Sequence, residues 1–92
     1  MVTKIVPNQI NKIILCGIPL NDFIPGTKEY YDIYQTFPAD KLLVIQNDKD
    51  NHGTFSEAET FIKNINQQIN IVSKPRSDHE YPYATDFRQF LN

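Results

Sequence analysis

The sequence predicts an α/β fold: a three-stranded parallel sheet with flanking helices. Two observations carry that expectation. Short apolar runs at residues 13–16 (Ile-Ile-Leu-Cys), 42–45 (Leu-Leu-Val-Ile) and 69–72 (Ile-Asn-Ile-Val) alternate along the chain with three helix-spaced apolar stripes. That order, βαβαβα, makes parallel strands joined by right-handed crossovers the default. In addition, the first two runs are continuous in apolar character, as strands covered by helices on both faces are.

The elements follow in order. The 13–16 run is the first strand. Tyr30, Ile33, Tyr34 and Phe37 then fall at i, i+3, i+4 and i+7, one stripe of an α-helix. On that stripe Tyr30 and Tyr34 face the core and Tyr31 lies off it. Pro38 ends the helix because it disfavours helical geometry at Phe37. After the second strand, Ala58, Phe61, Ile62 and Ile65 repeat the helical spacing, and Ser56-Glu57-Ala58-Glu59 reads as a capping box with Ser56 as the N-cap. The third strand contains Asn70, which suits a position nearer the sheet edge. Tyr83, Phe87, Phe90 and Leu91 form the last stripe, with Pro82 in the first turn, where its missing N–H costs nothing. The chain divides into a polar N-terminal segment, residues 1–11, and a half-sheet, residues 12–92, within one domain.

Composition narrows the function classes. A chain of 92 residues buries only about 60–65% of its unfolded surface, so good packing or a partner matters. The net charge is −2 with acids and bases interspersed, so no basic face argues for nucleic acid. No apolar stretch approaches the ~20 residues of a membrane span, and the polar start broken by Pro7 is not a secretory signal. A single cysteine rules out a disulfide framework and fits a reducing cytoplasm. Cys16 itself lies in an apolar strand, where a thiol is ordinarily an inert small hydrophobe rather than a nucleophile.

In open α/β sheets, ligands bind beyond the carboxyl ends of the strands. Three polar turns fall there: residues 17–22 (Gly-Ile-Pro-Leu-Asn-Asp), residues 47–52 (Asn-Asp-Lys-Asp-Asn-His) and residues 77–80 (Ser-Asp-His-Glu). Asp50 precedes His79 by 29 positions (79 minus 50), room for one helix and one strand. Adjacent strands lie ~4.8 Å apart, so the two loops are expected to be neighbours. An aspartate so placed fixes the imidazole tautomer and stabilises the imidazolium formed when the ring takes a proton. The plainer reading makes Asp48 and Asp50 turn formers and His79 a surface residue. Asp50, His52, Asp78 and His79 match no metal-ligand spacing, so no metal or other cofactor is expected. Lys74 and Arg76 bracket Pro75 and read as solvated charges rather than an anion site. Tyr81 and Tyr83, beside His79, read as buried rings with wet hydroxyls rather than as the lining of a site mouth.

With these turns in place, the chain resembles the C-terminal part of an α/β-hydrolase-fold protein from about Lys12 to Leu91. Asn47-Asp48-Lys49-Asp50 is similar to the turn that carries the family's catalytic acid, with Asn47 where a glycine is usual. Asp78-His79 is similar to the histidine turn, and residues 82–91 to the final helix. The resemblance implies Asp50 as the acid and His79 as the general base of a Ser-Asp-His triad, acting on a small carboxylic ester or similar acyl compound. The family nucleophile sits in G-x-S-x-G. Gly17, Gly26 and Gly53 frame no serine in that way. The chain is therefore expected to begin downstream of the nucleophile and to have no meaningful hydrolase activity alone. The competing class is a non-catalytic oligomerisation or interaction module derived from a hydrolase.

The strand at 13–16 is expected to present an open apolar edge, which invites pairing with another chain. Val2, Ile5 and Val6 could cover it, although Pro7 limits strand use there. The expected partners are a second copy of the chain or a chain carrying the nucleophile half, with no nucleic acid and no membrane.

Overall fold

A computed structural model of the chain describes residues 2–5 and 12–91. They form one sheet, β1 (Val2–Ile5), β2 (Ile13–Cys16), β3 (Leu42–Asn47) and β4 (Asn70–Lys74), in the order β1-β2-β3-β4. The strands β2, β3 and β4 are parallel, with Cys16 opposite Ile45 and Asn47 opposite Lys74. The α/β class and the three parallel strands stand as the apolar runs predicted. As Asn70 suggested, β4 is an edge strand, with Asn70 and Ser73 exposed.

The fourth strand corrects the expectation of a three-stranded sheet with an open edge at 13–16. Val2 to Ile5 pair antiparallel with β2, from Val2 opposite Cys16 to Ile5 opposite Ile13. Part of the segment read as a polar N-terminal extension is thus sheet. Four residues with apolar ends satisfy the backbone groups that β2 would otherwise expose. Val6 and Pro7, weighed above for the same role, lie outside the described residues.

Strand alternation splits the core into two layers. On one face Leu15, Leu42 and Val44 pack with Ile18, Tyr31, Tyr34, Ile62 and Ile69. This layer is closed by α1 (Phe55–Ile65) and by a 3₁₀ helix, Lys28–Gln35. On the other face Ile14, Cys16, Leu43 and Ile45 meet Tyr83, Phe87, Phe90 and Leu91, the stripe expected of the last helix, α2 (Ala84–Leu91). Among the described residues, no helix is long and apolar enough to cross a membrane.

Two local expectations are corrected. The α-helix expected through Tyr30 and Phe37 is a 3₁₀ helix, and its buried residues are Tyr31 and Tyr34 rather than Tyr30 and Tyr34. With three residues per turn, Tyr31, Tyr34 and Phe37 share one face and Tyr30 and Ile33 another. Tyr31 is 2% exposed and Tyr30 78%. The capping box belongs to Thr54, not Ser56. The Thr54 hydroxyl accepts from the Glu57 amide at 3.2 Å, and the Glu57 carboxylate accepts from the Thr54 amide at 3.0 Å. Thr54-Phe55-Ser56-Glu57 has the same spacing two positions earlier, so the helix starts there. Pro82 lies just ahead of α2 rather than in its first turn.

The 3₁₀ face has a measurable consequence. Tyr31→Ala is expected to cost about 3–5 kcal/mol of stability in urea unfolding, as aromatic truncations in cores do. Tyr30→Ala is expected to change stability by no more than ~0.5 kcal/mol. The reverse ranking would restore the α-helical stripe.

Candidate functional site

Because β2, β3 and β4 are parallel, the loops that follow them share one rim. Backbone hydrogen bonds join those loops to one another and to the neighbouring strand ends. The Gly17 amide donates to the Ile45 carbonyl at 3.0 Å, Asn21 to His52 at 2.8 Å, Asp48 to Lys74 at 2.7 Å and Lys49 to Arg76 at 3.0 Å.

Two amides at the end of β3 brace the rim. Gln46 is fully buried. Its Oε1 accepts from the Ile18 amide at 2.8 Å, and its Nε2 donates to the carbonyls of Ile18 and Gly53 at 3.1 and 2.6 Å. The loops after β2 and β3 are thereby locked together. Gly53 permits the approach, since a Cβ there would come within 2.7 Å of the Ile18 carbonyl oxygen. Asn47, also fully buried, does the same for the histidine loop. Its Nδ2 donates to the carbonyls of Asp78 and Glu80 at 2.9 and 2.8 Å, one on each side of His79, and its Oδ1 accepts from the Tyr83 hydroxyl at 2.6 Å.

The two residues singled out from the sequence come together. Nδ1 of His79 lies 2.7 Å from Oδ2 of Asp50. Asp50 is 1% exposed, whereas the His79 side chain is partly open to solvent. Oδ1 of Asp50 accepts from the His52 amide at 2.7 Å, and Oδ2 also accepts from the Tyr81 hydroxyl at 2.6 Å. Burial opposes ionisation of Asp50. Hydrogen bonds from Tyr81, the His52 amide and His79 outweigh it and hold the carboxyl below its usual value of 3.8.

A second acid–histidine contact stands beside the first. Nδ1 of His52 lies 2.5 Å from Oδ2 of Asp22, and the His52 and His79 ring centroids are 4.2 Å apart. Gly17 forms the floor under His79. Its φ is +67°, and a Cβ there would lie 2.8 Å from Cε1 of His79 and 2.6 Å from Cε1 of Tyr81.

Other polar candidates turn elsewhere. Arg76 pairs with Asp78 at 2.6 Å and Lys74 with Asp86 at 2.6 Å, so both cations are engaged within the chain rather than simply solvated. Burial pushes the Cys16 thiol up to about 11, which keeps it protonated and supports its reading as an inert core residue. The hydroxyls of Tyr81 and Tyr83 are not wet, as expected above, but bonded to Asp50 and Asn47.

Sequence reasoning set Tyr81 aside as a half-buried ring, saw Asn47 only as a member of the acid turn, and gave Gln46 no part in the site. A signal for Tyr81 was present. Pro82 biases the residue before it toward an extended backbone, and residues i and i+2 of an extended segment share a face. Tyr81 and Tyr83 therefore point the same way directly after the histidine turn.

Protein-family models, curated proteins and solved structures were compared with the chain, and none matches.

Asp50 also makes stability depend on pH. Its folded value lies below the ordinary 3.8, so the ionised form contributes stability that is fully present above 3.8. That contribution is lost as pH falls through the lower folded value. Asp50→Asn is expected to be less stable than the native chain at neutral pH, with the gap closing in acid below about 3.8. Urea unfolding across that range checks this; a gap independent of pH would contradict it.

Proposed function

We propose that the chain supplies the acid and histidine of a Ser-Asp-His triad for acyl hydrolysis, the nucleophile coming from a segment outside these 92 residues. The observation that carries this reading is the 2.7 Å contact between His79 Nδ1 and a buried Asp50 carboxylate, on the rim where parallel-sheet proteins bind ligands. With Asp50 accepting the Nδ1 proton, the other ring nitrogen, Nε2, takes the proton of an incoming serine hydroxyl. The imidazolium so formed is stabilised by Asp50 and then protonates the leaving alkoxide. The substrate class, a small carboxylic ester or related acyl compound, rests on the resemblance to α/β-hydrolases. No cofactor is needed for these steps. The buried thiol of Cys16 fits a reducing compartment such as the cytoplasm.

A second reading, an interaction module derived from a hydrolase, is favoured by one feature. Ile24, Tyr30 and Ile33 are 69%, 78% and 62% exposed, unusual for large apolar side chains on one short stretch. In that reading the chain binds a second copy of itself or a chain carrying the nucleophile half.

Ester hydrolysis separates the two. The purified chain is expected to show no p-nitrophenyl ester turnover that depends on His79. Joined to a segment carrying a G-x-S-x-G serine, it is expected to turn over the ester, with a loss of roughly 10³-fold or more on His79→Ala or Asp50→Asn. Turnover by the completed protein that ignores both substitutions would refute the catalytic reading and leave the module.

A further inference from the structure

The oxygen of Asp50 that faces His79 accepts a second proton donor, and that donor is itself held in place. The Asn47 amide donates to the Tyr81 hydroxyl oxygen at 2.9 Å, and the hydroxyl lies 2.6 Å from Oδ2 of Asp50. A backbone N–H is only a donor, so the phenol oxygen must accept from it and direct its single proton to the carboxylate. The ring is fixed as well. It packs on Gly17, where a Cβ would come within 2.6 Å of it, and meets His79 and Tyr83 edge-on at centroid distances of 5.8 and 5.9 Å.

We propose that Tyr81 is a positioning residue for the acid–histidine pair: its hydroxyl, set by the Asn47 amide, keeps Oδ2 of Asp50 an ionised acceptor turned toward Nδ1 of His79. This rests on the reading of Asp50 and His79 as a proton-transfer pair. The physical need is plain. A carboxylate 1% exposed is unfavourable unless donors replace its lost water. The His52 amide satisfies Oδ1, which leaves Oδ2 to Tyr81 and His79. Without the phenol, Oδ2 would depend on His79 alone and the carboxyl would protonate more readily. A neutral carboxyl is a weaker acceptor and can itself donate to Nδ1. The bond would then run in the opposite sense, and Nε2 would carry the ring proton and be unable to take one from a nucleophile. Tyr81 thus guards the direction of the hydrogen bond without touching substrate. The phenol itself is held neutral, because burial and then the Asp50 hydrogen bond push its ionisation upward.

Carboxyl ¹³C NMR titration of Asp50 in the full chain tests this. Tyr81→Phe keeps the ring against Gly17 and His79 and removes only the hydroxyl. The Asp50 midpoint is expected to move upward in that variant, a change that a purely space-filling role would not produce. An unchanged midpoint would overturn the role of Tyr81 and leave the Asp50–His79 pair standing. Incorporation of 3-fluorotyrosine at position 81 keeps the fold and supplies a stronger donor. It is expected to move the midpoint downward, and no movement would overturn the proposal even if Tyr81→Phe fails to fold. The underlying pair is read separately from ¹⁵N spectra of His79 in the native chain. A neutral ring protonated on Nε2 rather than Nδ1 would refute the pair, and the role of Tyr81 with it.

Discussion

The rim is organised around the carboxylate of Asp50. It is almost completely buried in the turn that follows β3, and a charge in that position persists only if donors surround it. Three donors from two loops do so: the His52 amide, the Tyr81 hydroxyl and the His79 imidazole. Each donor fixes the geometry of its own segment. The His52 amide closes the turn after β3, Tyr81 draws in the segment leading to α2, and His79 brings the loop after β4 over Gly17. The folding requirement and the proposed chemistry therefore share the same bonds.

The neighbouring amides explain how so short a chain holds such a rim. Gln46 and Asn47 close β3 with side chains that bond the backbone of both adjacent loops. An unmet buried polar group costs about 1–3 kcal/mol, so each of these amides resists any displacement of its loops. Among the described residues, no buried side-chain polar atom lacks a partner. The histidine loop is clamped on both sides of His79 by one asparagine, Asn47. A residue without a side-chain amide at that position could not supply this clamp.

The parts legible from sequence were those set by periodicity and by strand direction. Continuous apolar runs at 13–16 and 42–45 marked strands covered on both faces, and parallel order put Asp50 and His79 on one rim. The face of the Lys28–Gln35 helix was not legible, because Tyr30, Tyr31, Ile33, Tyr34 and Phe37 satisfy a period of three as well as one of 3.6. Tertiary packing selected the former and buried Tyr31. The strand at Val2–Ile5 was obscured by its length and by Pro7 close behind it. Gln46 and Asn47 read as the start of a polar loop, since nothing local distinguishes a polar residue at a strand end from one inside a rim. Thr54 and Ser56 both begin an S/T-x-x-E pattern, so the pattern alone does not distinguish the cap at Thr54 from one at Ser56.

The central claim is that Asp50 and His79 act as one unit rather than as two polar residues in adjacent loops. A double-mutant cycle with Asp50→Asn and His79→Gln, followed by urea unfolding at neutral pH, measures this most directly. The contact predicts a coupling energy of about 1–3 kcal/mol between the two substitutions. Additivity within ~0.3–0.5 kcal/mol, the behaviour of independent sites, would contradict it.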